Sequence, residues 1–322
     1  MPSRQMKRII VTGSVGQIGS ELVIELRRLY GSENVVACGH KTQPGEELRE
    51  SGPFEFVDVR NKIELEEVVK RYDIDTIYNL AAILSAAGEK SPQLCWDVNV
   101  NGFVNVLEVA REHALVRVIN PSSIAVFGPR TPRDKTPTDT ILQPTTMYGV
   151  TKVAGELLGD YYFSRFGLDV RGVRLPGVIS YKTLPGGGTT DYAVAIFYEA
   201  ILHKRYRCFV REDTVLPMMY MPDALKALID VANAPLERLK HHCNFNVGAM
   251  SFSVGELAAE IKKHIPELQV TYEPDFRQEI ADSWPRSVDD SVAREEWSWS
   301  PEYDLERMTE DMIEKLRKKL LG

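Results

Sequence analysis

The sequence has few cysteines, and they are scattered. Cys38, Cys95, Cys208 and Cys243 stand alone among 322 residues, without a Cys-x-x-Cys pair or a histidine at metal-ligand spacing. This pattern disfavours both structural zinc and a disulfide framework. We therefore expect no metal site, and reduced thiols fit a cytoplasmic protein.

Long apolar stretches and an excess of positive charge are also missing. No apolar run reaches the ~18 residues of a membrane-spanning helix, and the polar start at 1–8 leads directly into a predicted strand without the apolar core of a signal peptide. Lysine and arginine number 39 against 46 acidic residues, which gives a net charge of -7. Interspersed charges of this balance disfavour nucleic acid and anionic membranes as partners. We expect a soluble cytoplasmic protein.

A glycine-rich turn follows the first predicted strand. The β-branched run at 7–12 indicates a buried strand, and an amphipathic helical pattern occupies 21–30. Dinucleotide sites use this order, because glycines let the backbone approach the pyrophosphate and the helix N-terminus offers free N–H groups. The predicted cofactor-binding residues of this turn are Gly13, Gly16, Gln17, Ile18 and Gly19.

Three reactive side chains occur at a constrained spacing in the middle of the chain. Tyr148 and Lys152 are four residues apart, so that on a helix they share a face, and Ser123 ends an apolar run earlier in the chain. A free tyrosine titrates near ~10, and a lysine charge about 4 Å away is worth ~4 kcal/mol at an effective dielectric of ~20. We predict that Lys152 lowers the pKa of Tyr148 so that it acts as a general base, with Ser123 orienting the alcohol. The alternative is that Tyr148 and Lys152 are ordinary surface residues.

Together these motifs resemble the short-chain dehydrogenase/reductase superfamily, in its extended, epimerase-like branch. The resemblance rests on the Gly-x-x-Gly-x-x-Gly spacing, on Ser-Ser before Val-Phe-Gly at 122–128, and on the Tyr-x-x-x-Lys pattern at 148–152. Repeated strand-helix units of ~30 residues add a doubly wound parallel sheet, whose sixth strand is predicted over 168–178. Ser253 and Glu256 predict a capped helix start in the C-terminal part. The expected α/β fold has a Rossmann domain at 1–176 and a smaller, mainly substrate-binding lobe at 177–322, of which 206–235 pack back on the Rossmann domain.

The resemblance implies further cofactor contacts at the ends of the predicted strands. Gly39, His40 and Lys41 occupy the place where an acidic residue usually binds the adenosine ribose, although backbone groups of the loop are an alternative. Asp58 matches the family's adenine-facing aspartate, or else caps the helix at 62–71. We expect NAD as cofactor, because no arginine is placed to grip a 2′-phosphate. The remaining implied contacts are Val59, Leu80, Ala81, Ala82, Asn99, Tyr148, Lys152, Pro176 and Val178.

Asn99 and Lys152 carry additional implied roles. Asn99 resembles the asparagine with which the family kinks a helix and relays a proton through water, and helix capping or a core hydrogen bond is the alternative. The family's lysine also holds the nicotinamide ribose. We therefore expect Ser123, Tyr148, Lys152 and Asn99 to form the catalytic set.

Two longer segments, 180–194 and 216–223, resemble L-threonine 3-dehydrogenases of the short-chain type. Aliphatic residues at 124–126, where sugar-nucleotide dehydratases place an acid pair, disfavour dehydration. The resemblance implies NAD-dependent oxidation of the 3-hydroxyl of L-threonine. The glycine-rich segment from Ser180 to a helix near Thr190 indicates an active-site loop with mobile hinge positions, or else a linker between lobes. The expected substrate contacts are Ser85, Ser122, Ser123, Tyr148, Thr189, Thr190, Asp191 and Trp284.

Alternatives remain for single residues and for the whole protein. Asp191 fits the ammonium of an amino acid or complements a helix dipole, and Trp284 closes the pocket or packs the small lobe. A sugar-nucleotide 4-epimerase and a non-catalytic, redox-sensing binding module are the competing functions. The helices at 92–113 and 146–166 carry apolar residues on more than one face, and the family pairs such helices into a four-helix bundle. We therefore expect a homodimer.

Overall fold

The computed structural model describes residues 5–184, 186 and 188–322. Pro185 and Gly187 of the predicted active-site loop lie outside the described residues. The strands are β1 (Ile9–Thr12), β2 (Val35–Gly39), β3 (Phe54–Phe56), β4 (Thr76–Asn79), β5 (Arg117–Ile119), β6 (Ser122–Ser123), β7 (Val170–Arg171), β8 (Val173–Leu175), β9 (Gly177–Ile179), β10 (Arg205–Cys208), β11 (Val215–Tyr220), β12 (Phe245–Asn246), β13 (Met250–Ser253) and β14 (Gln269–Tyr272).

Helices separate most of these strands. They are α1 (Gln17–Tyr30), α2 (Glu46–Glu50), α3 (Lys62–Arg71), α4 (Ser85–Lys90), α5 (Pro92–Trp96), α6 (Gly102–Glu112), α7 (Met147–Phe166), α8 (Tyr192–His203), α9 (Met221–Asn233), α10 (Val254–His264), α11 (Arg277–Ser283), α12 (Ser291–Trp297) and α13 (Leu305–Leu321). A π-helical turn, Asp97–Asn101, joins α5 to α6. Within the described ranges, no helix combines the length and the apolar character needed to cross a bilayer.

A six-stranded parallel sheet, in the order β3-β2-β1-β4-β5-β7, forms the core of the N-terminal half. Strand β1 is buried along its whole length, which explains its continuous apolar run. Ile9 and Val11 pack with α1 and α9 on one face, whereas Ile10 packs with α3 and α6 on the other. The predicted α/β fold with a doubly wound parallel sheet is confirmed.

The chain breaks the sheet at Gly172. We predicted one strand over 168–178, but the structure has β7 in the central sheet, β8 between β6 and β12, and β9 beside β11. A Cβ atom at Gly172 would lie 2.5 Å from the carbonyl oxygen of Asn120, so this close passage of two backbones requires glycine. The single long strand is therefore wrong. The break turns β8 and β9 toward the end of the sheet where the cleft lies.

The C-terminal part of the chain contributes to two cores. Helix α9 packs against α1, with Ala224 and Leu228 in the same apolar cluster as Leu22 and Leu26. Strand β10 and helices α8, α10 and α13 form a separate cluster with Phe197 at its centre. Helix α10 begins with a capping box, which the sequence predicted, in which Ser253 and Glu256 satisfy each other's backbone N–H groups.

Two buried arginines fasten α9 to the sheet. Arg171 donates to the carbonyls of Val231 and Ala234 at 2.7 Å, and Arg117 donates to the carbonyl of Ala232. Both guanidinium groups also pair with the carboxylate of Asp169 at 2.7 Å. The cations thus meet the carbonyl end of a helix, where positive charge is favoured. We call this group the arginine clamp.

Candidate active site

A cleft lies at the carboxyl ends of the central strands, where ligands bind in open α/β sheets. Its walls are the start of α1, the ends of β4 and β6, the first turns of α7, the segment from β8 to β9, and the loop before α8. Its lining residues are Gln17, Ile18, Asn79, Leu80, Ala82, Leu84, Ser85, Pro121, Ser122, Ser123, Ile124, Tyr148, Lys152, Leu175, Pro176, Gly177, Val178, Gly188, Thr189, Thr190, Asp191 and Trp284.

Ser123, Tyr148 and Lys152 meet in this cleft. Helix α7 begins at Thr146, whose side chain accepts the N–H of Gly149 at 3.1 Å, and this cap places Tyr148 in the first turn. The hydroxyl of Ser123 hydrogen bonds with the Tyr148 phenol. The Lys152 Nζ atom lies 5.5 Å from the centre of the Tyr148 ring and donates to the carbonyl of Pro121 at 2.6 Å. The predicted trio is therefore assembled by one helix and one strand end.

The electrostatics of Tyr148 differ from the prediction. Burial raises the pKa of Tyr148 to about 12, and the hydrogen bond from Ser123 offsets this only in part. Burial also lowers the pKa of Lys152 to about 8. For the polypeptide alone, the predicted lowering of the Tyr148 pKa is wrong, because desolvation by burial disfavours the phenolate and is the largest cause of the shift. The protein's own residues therefore keep Tyr148 protonated.

The glycine turn before α1 forms an anion cradle. Gly13 has a φ of 66°, and a Cβ atom there would lie 2.6 Å from the backbone of Leu80. A Cβ atom at Gly19 would lie 2.4 Å from the Gly13 carbonyl oxygen. The N-cap residue of α1 is Gly16, which provides no capping side chain, and the buried Ser14 hydroxyl has no hydrogen-bond partner. Unsatisfied donors at a tight turn fit a dinucleotide pyrophosphate.

The other end of the cleft carries hydroxyls and a carboxylate. The side-chain oxygens of Ser85 and Thr189 lie 3.2 Å apart. Asp191 accepts the N–H of Gly188 at 2.7 Å, which folds the loop before α8 back on itself. Trp284 is buried in the apolar cluster of α8, α10 and α13 and also lines the cleft, so it packs the small lobe and contacts the cleft at the same time. The arrangement gathers donors and one carboxylate suited to a small zwitterion.

The Ser122 hydroxyl is engaged within the protein. It donates to Glu156, which is buried on α7 and holds Arg174 through two contacts of 2.8 Å. Ser122 still lines the cleft, and its contact with substrate stays a prediction. The hydroxyl ties β6 to α7 immediately behind Ser123 and Lys152.

Comparison with known proteins identifies the family. Residues 9–248 match the NAD dependent epimerase/dehydratase family. The chain belongs to this family. An uncharacterized epimerase/dehydratase of Staphylococcus haemolyticus (strain JCSC1435) is 48% identical over 315 residues, covering 98% of this chain and 99% of the relative.

Two solved structures of dehydrogenases are similar over nearly the whole chain. The L-threonine dehydrogenase from Clostridium difficile is 53% identical, with a TM-score of 0.96, covering 99% of this chain and 100% of that chain. A monomeric L-threonine 3-dehydrogenase from a metagenome, in its apo form, is 47% identical, with a TM-score of 0.93, covering 97% of this chain and 99% of that chain. The family membership and the glycine turn together imply a nicotinamide cofactor.

The residues predicted to bind the adenosine end of the cofactor, Gly39, His40, Lys41 and Asp58, are not among those that line the cleft. His40 Nε2 is 3.3 Å from a carboxylate oxygen of Asp58, which also pairs with the Arg60 guanidinium at 2.6 Å. Arg60 thereby lowers the pKa of Asp58. The N-cap residue of α3 is Asn61, so the alternative that Asp58 caps this helix is wrong. Arg60 is therefore an arginine close to the predicted adenosine-binding residues that was not considered from the sequence, but its guanidinium group pairs with Asp58.

Asn99 and Val59 lie outside the cleft. Asn99 is at the centre of the π-helical turn, and its amide accepts from the N–H of Ile83 at 2.8 Å and donates to the Ile83 carbonyl and the Thr151 hydroxyl at 3.0 Å. It thus fixes the segment that carries Leu84 and Ser85 into the cleft. Its role in a water relay remains a prediction. The Val59 side chain packs in the core, and its carbonyl accepts from Asn105.

Several cleft residues were not predicted from the sequence. The most informative is Asn79, which ends β4 and links Thr12 at 2.8 Å to Asn120 at 2.9 Å across the strand ends. Asn79 could have been predicted as a cleft residue, because a polar residue that ends a buried parallel strand lies at the carboxyl edge of the sheet, where ligands bind. The others are Leu84, Pro121, Ile124, Leu175, Gly177 and Gly188.

Proposed function

We propose that this protein is an NAD-dependent L-threonine 3-dehydrogenase, which oxidises the 3-hydroxyl of L-threonine to 2-amino-3-oxobutanoate. The observation that carries the proposal is one cleft in which Ser123, Tyr148 and Lys152 face the hydroxyls and carboxylate contributed by Ser85, Thr189 and Asp191. The similarity of the whole chain to L-threonine dehydrogenases supports it.

Each cleft residue has a proposed role that follows from the chemistry of its side chain. Ser123 orients the 3-hydroxyl, and Tyr148 removes its proton, while Lys152 stands beside the phenol. Asp191 receives the substrate ammonium, and the Ser85 and Thr189 hydroxyls with backbone N–H groups receive its carboxylate. When bound, NAD supplies the hydride acceptor for C3 and a positive charge close to Tyr148. Because burial raises the pKa of Tyr148, that additional charge favours the phenolate.

An assay of NAD reduction tests the proposal. Purified protein with NAD should form NADH when L-threonine is added, and L-allo-threonine, which differs only in configuration at C3, should give a much slower reaction. A panel of nucleotide sugars, followed by product analysis, tests the 4-epimerase alternative. Absence of an L-threonine-dependent signal, with epimerisation of a nucleotide sugar, would reverse the assignment.

We also propose that NAD is preferred over NADP only weakly. Gly39 lacks the carboxylate that would bind the ribose hydroxyls, and such a charge-assisted hydrogen bond contributes roughly 1.5–3 kcal/mol. At ~1.4 kcal/mol per decade, NAD should bind about ten- to a hundredfold more weakly than in an aspartate-bearing relative. Arg60 adds little affinity for a 2′-phosphate while Asp58 holds it.

The matched variants Gly39→Asp and Gly39→Ala test this cofactor prediction by titration with NAD and NADP. A Cβ atom at Gly39 would lie 2.9 Å from the Phe54 ring, so Gly39→Ala measures the steric cost alone. Relative to Gly39→Ala, Gly39→Asp should tighten NAD about tenfold and weaken NADP. Equal NAD affinities in the two variants would mean that the ribose is held by other groups.

We further propose a homodimer formed through α5, α6 and α7. Leu94, Trp96, Leu157 and Tyr161 leave an apolar surface on α5 and α7, and Leu157 is 63% exposed. Several large apolar side chains exposed on neighbouring helices support an interface there. The similar enzyme described as monomeric indicates that the fold does not itself require a partner.

Sedimentation at micromolar concentration should therefore give a species of twice the monomer mass. Leu157→Glu should shift the protein to monomer by placing a charge on the proposed interface. Leu202→Glu, at an exposed leucine of α8, is the matched control and should remain dimeric. A wild-type protein that sediments as a monomer would contradict the proposal.

A further inference from the structure

One hydrogen bond joins the two walls of the cleft that hold different ligands. Glu21 lies on α1, one turn after Gln17, and Gln17 faces the cleft. Ser180 directly follows β9, whose Gly177 and Val178 also face the cleft. The Ser180 hydroxyl donates to the Glu21 carboxylate. The contact therefore links α1, the helix of the proposed dinucleotide site, to β9. The chain after β9 leads to residues 188–191, which we call the substrate loop.

The Ser180 hydroxyl both donates and accepts a hydrogen bond within the protein. Ser180 is completely buried, and besides donating to Glu21 it accepts the N–H of Lys182 at 3.0 Å. Burial raises the pKa of Glu21, an effect that the Ser180 hydrogen bond and the nearby charges of Lys182 and Lys319 oppose and Glu47 reinforces. A partly desolvated carboxylate that receives a hydroxyl proton gives a strong, directional contact.

The segment at 180–182 is held from its other side as well. Lys319, in the last turn of α13, donates to the carbonyls of Tyr181 at 3.1 Å and Lys182 at 2.7 Å. The Tyr198 hydroxyl of α8 donates to the Tyr181 carbonyl at 2.8 Å. Contacts to α8 and α13 anchor the segment to the C-terminal core. The Ser180 hydrogen bond ties the segment to α1, the helix of the glycine turn.

The chain beyond this segment supplies the substrate end of the cleft. Thr189, Thr190 and Asp191 line it, and Thr189 reaches Ser85. The Thr190 side chain packs against Gly177, where a Cβ atom would lie 2.8 Å from its methyl group. A shift of β9 relative to α1 would therefore move substrate-facing residues directly.

We propose that Glu21 and Ser180 form a latch that couples dinucleotide binding at α1 to the position of the substrate loop. Glu21 is a positioning residue, because it acts on the loop through Ser180 and does not face the cleft. Dinucleotide binding fixes the start of α1, and the latch passes this constraint to β9 and then to 188–191. The inference rests on the proposed function for its choice of substrate, but the coupling itself concerns the dinucleotide alone.

Hydrogen exchange of the amides, with and without NAD, tests the coupling independently of turnover. In the wild type, NAD should slow exchange in both 13–19 and 188–191. In Ser180→Ala, the slowing in 13–19 should persist while that in 188–191 is lost. Glu21→Gln keeps a side-chain oxygen that can accept the Ser180 proton, so it should show an intermediate response. Glu25→Gln, one turn further along α1, is the control and should behave as the wild type.

Steady-state kinetics provide the second measurement. Ser180→Ala should raise KM for L-threonine about tenfold, the equivalent of a charge-assisted hydrogen bond, with little change in kcat. The double variant Ser180→Ala with Glu21→Gln should match Ser180→Ala, because the contact that Glu21→Gln weakens is already absent without the Ser180 hydroxyl. A merely structural contact would lower the melting temperature and leave the exchange response of 188–191 to NAD intact. That result, or a wild type without the response, overturns the latch.

The two proposals fail separately. A wild type that does not oxidise L-threonine, but in which Ser180→Ala abolishes the NAD response of 188–191, keeps the latch and rejects the substrate. If the protein oxidises L-threonine, and NAD slows amide exchange in 188–191 equally in the wild type and in Ser180→Ala, the substrate proposal stands and the latch is rejected.

Discussion

Tyr148→Phe should lower kcat for L-threonine oxidation by about 10²–10⁴-fold, the usual contribution of a positioned general base. The substitution removes only the phenol oxygen, so the ring that packs in the cleft and the Lys152 contact with Pro121 are retained. NAD affinity should therefore remain unchanged. The comparison of kcat with the dissociation constant of NAD separates loss of the base from loss of the binding site.

Tyr161→Phe is the matched control for this prediction. Tyr161 lies on the same helix, but its side chain is exposed and outside the cleft. Its loss should leave kcat unchanged. Near-normal turnover in Tyr148→Phe would remove Tyr148 from the mechanism.

The pH profile adds an independent test of the base. Because burial raises the pKa of Tyr148, kcat/KM of the wild type should increase with pH through neutrality, as the phenolate fraction grows. Lys152, whose pKa is lowered to about 8, loses its charge above that pH, which should flatten the increase. The residual activity of Tyr148→Phe should lack this rise.

Glu156→Ala should cost about 3–5 kcal/mol of unfolding free energy, because it leaves the Arg174 guanidinium buried without its partner. Both side chains are less than 5% exposed, and Arg174 also donates to the Thr138 carbonyl at 2.7 Å. Denaturant unfolding measures the effect. The variant should also lose activity, since Ser122 and β6 lose their tie to α7 behind Ser123.

The double variant Glu156→Leu with Arg174→Met sharpens this prediction. Replacing a whole buried pair with apolar residues is often neutral, whereas removing one partner is costly. The double variant should therefore be more stable than Glu156→Ala. Arg28→Ala, which breaks the exposed pair with Glu25, should change stability little. A small effect of Glu156→Ala would show that the Arg174 charge finds another partner.

The sequence predicted the local parts of the fold well. Helix α7, the capping box of α10 and the glycine turn before α1 depend on residues within a few positions of one another, so their patterns are visible in the chain. The break at Gly172 was missed because its cause is the Asn120 backbone, more than fifty residues away. A kink at Asn99 was expected from the resemblance, but its form as a π-helical turn was not, because it depends on the contact of the Asn99 side chain with the backbone of Ile83.

For the candidate site, spacing predicted which residues meet but not their electrostatics. Tyr148 and Lys152 are four residues apart and share a face of the helix wherever the helix begins, so their proximity followed from the sequence. Their pKa values depend on burial by the surrounding elements, which no short pattern contains. Ser122 and Ser123 are adjacent, chemically identical and both line the cleft, and only the position of Glu156 shows which of the two hydroxyls is engaged by α7.

The arginine clamp has a consequence for how the chain acquires its fold. Arg171 donates to a carbonyl 60 residues later in the chain, so the last strand of the central sheet gains this hydrogen-bond acceptor only once α9 is present. A fragment ending at residue 176 would retain two guanidinium groups, Arg117 and Arg171, sharing the single carboxylate of Asp169. Buried cations left without acceptors are costly. During synthesis on the ribosome, the end of the central sheet around Arg117 and Arg171 should therefore become stable only after α9 has emerged.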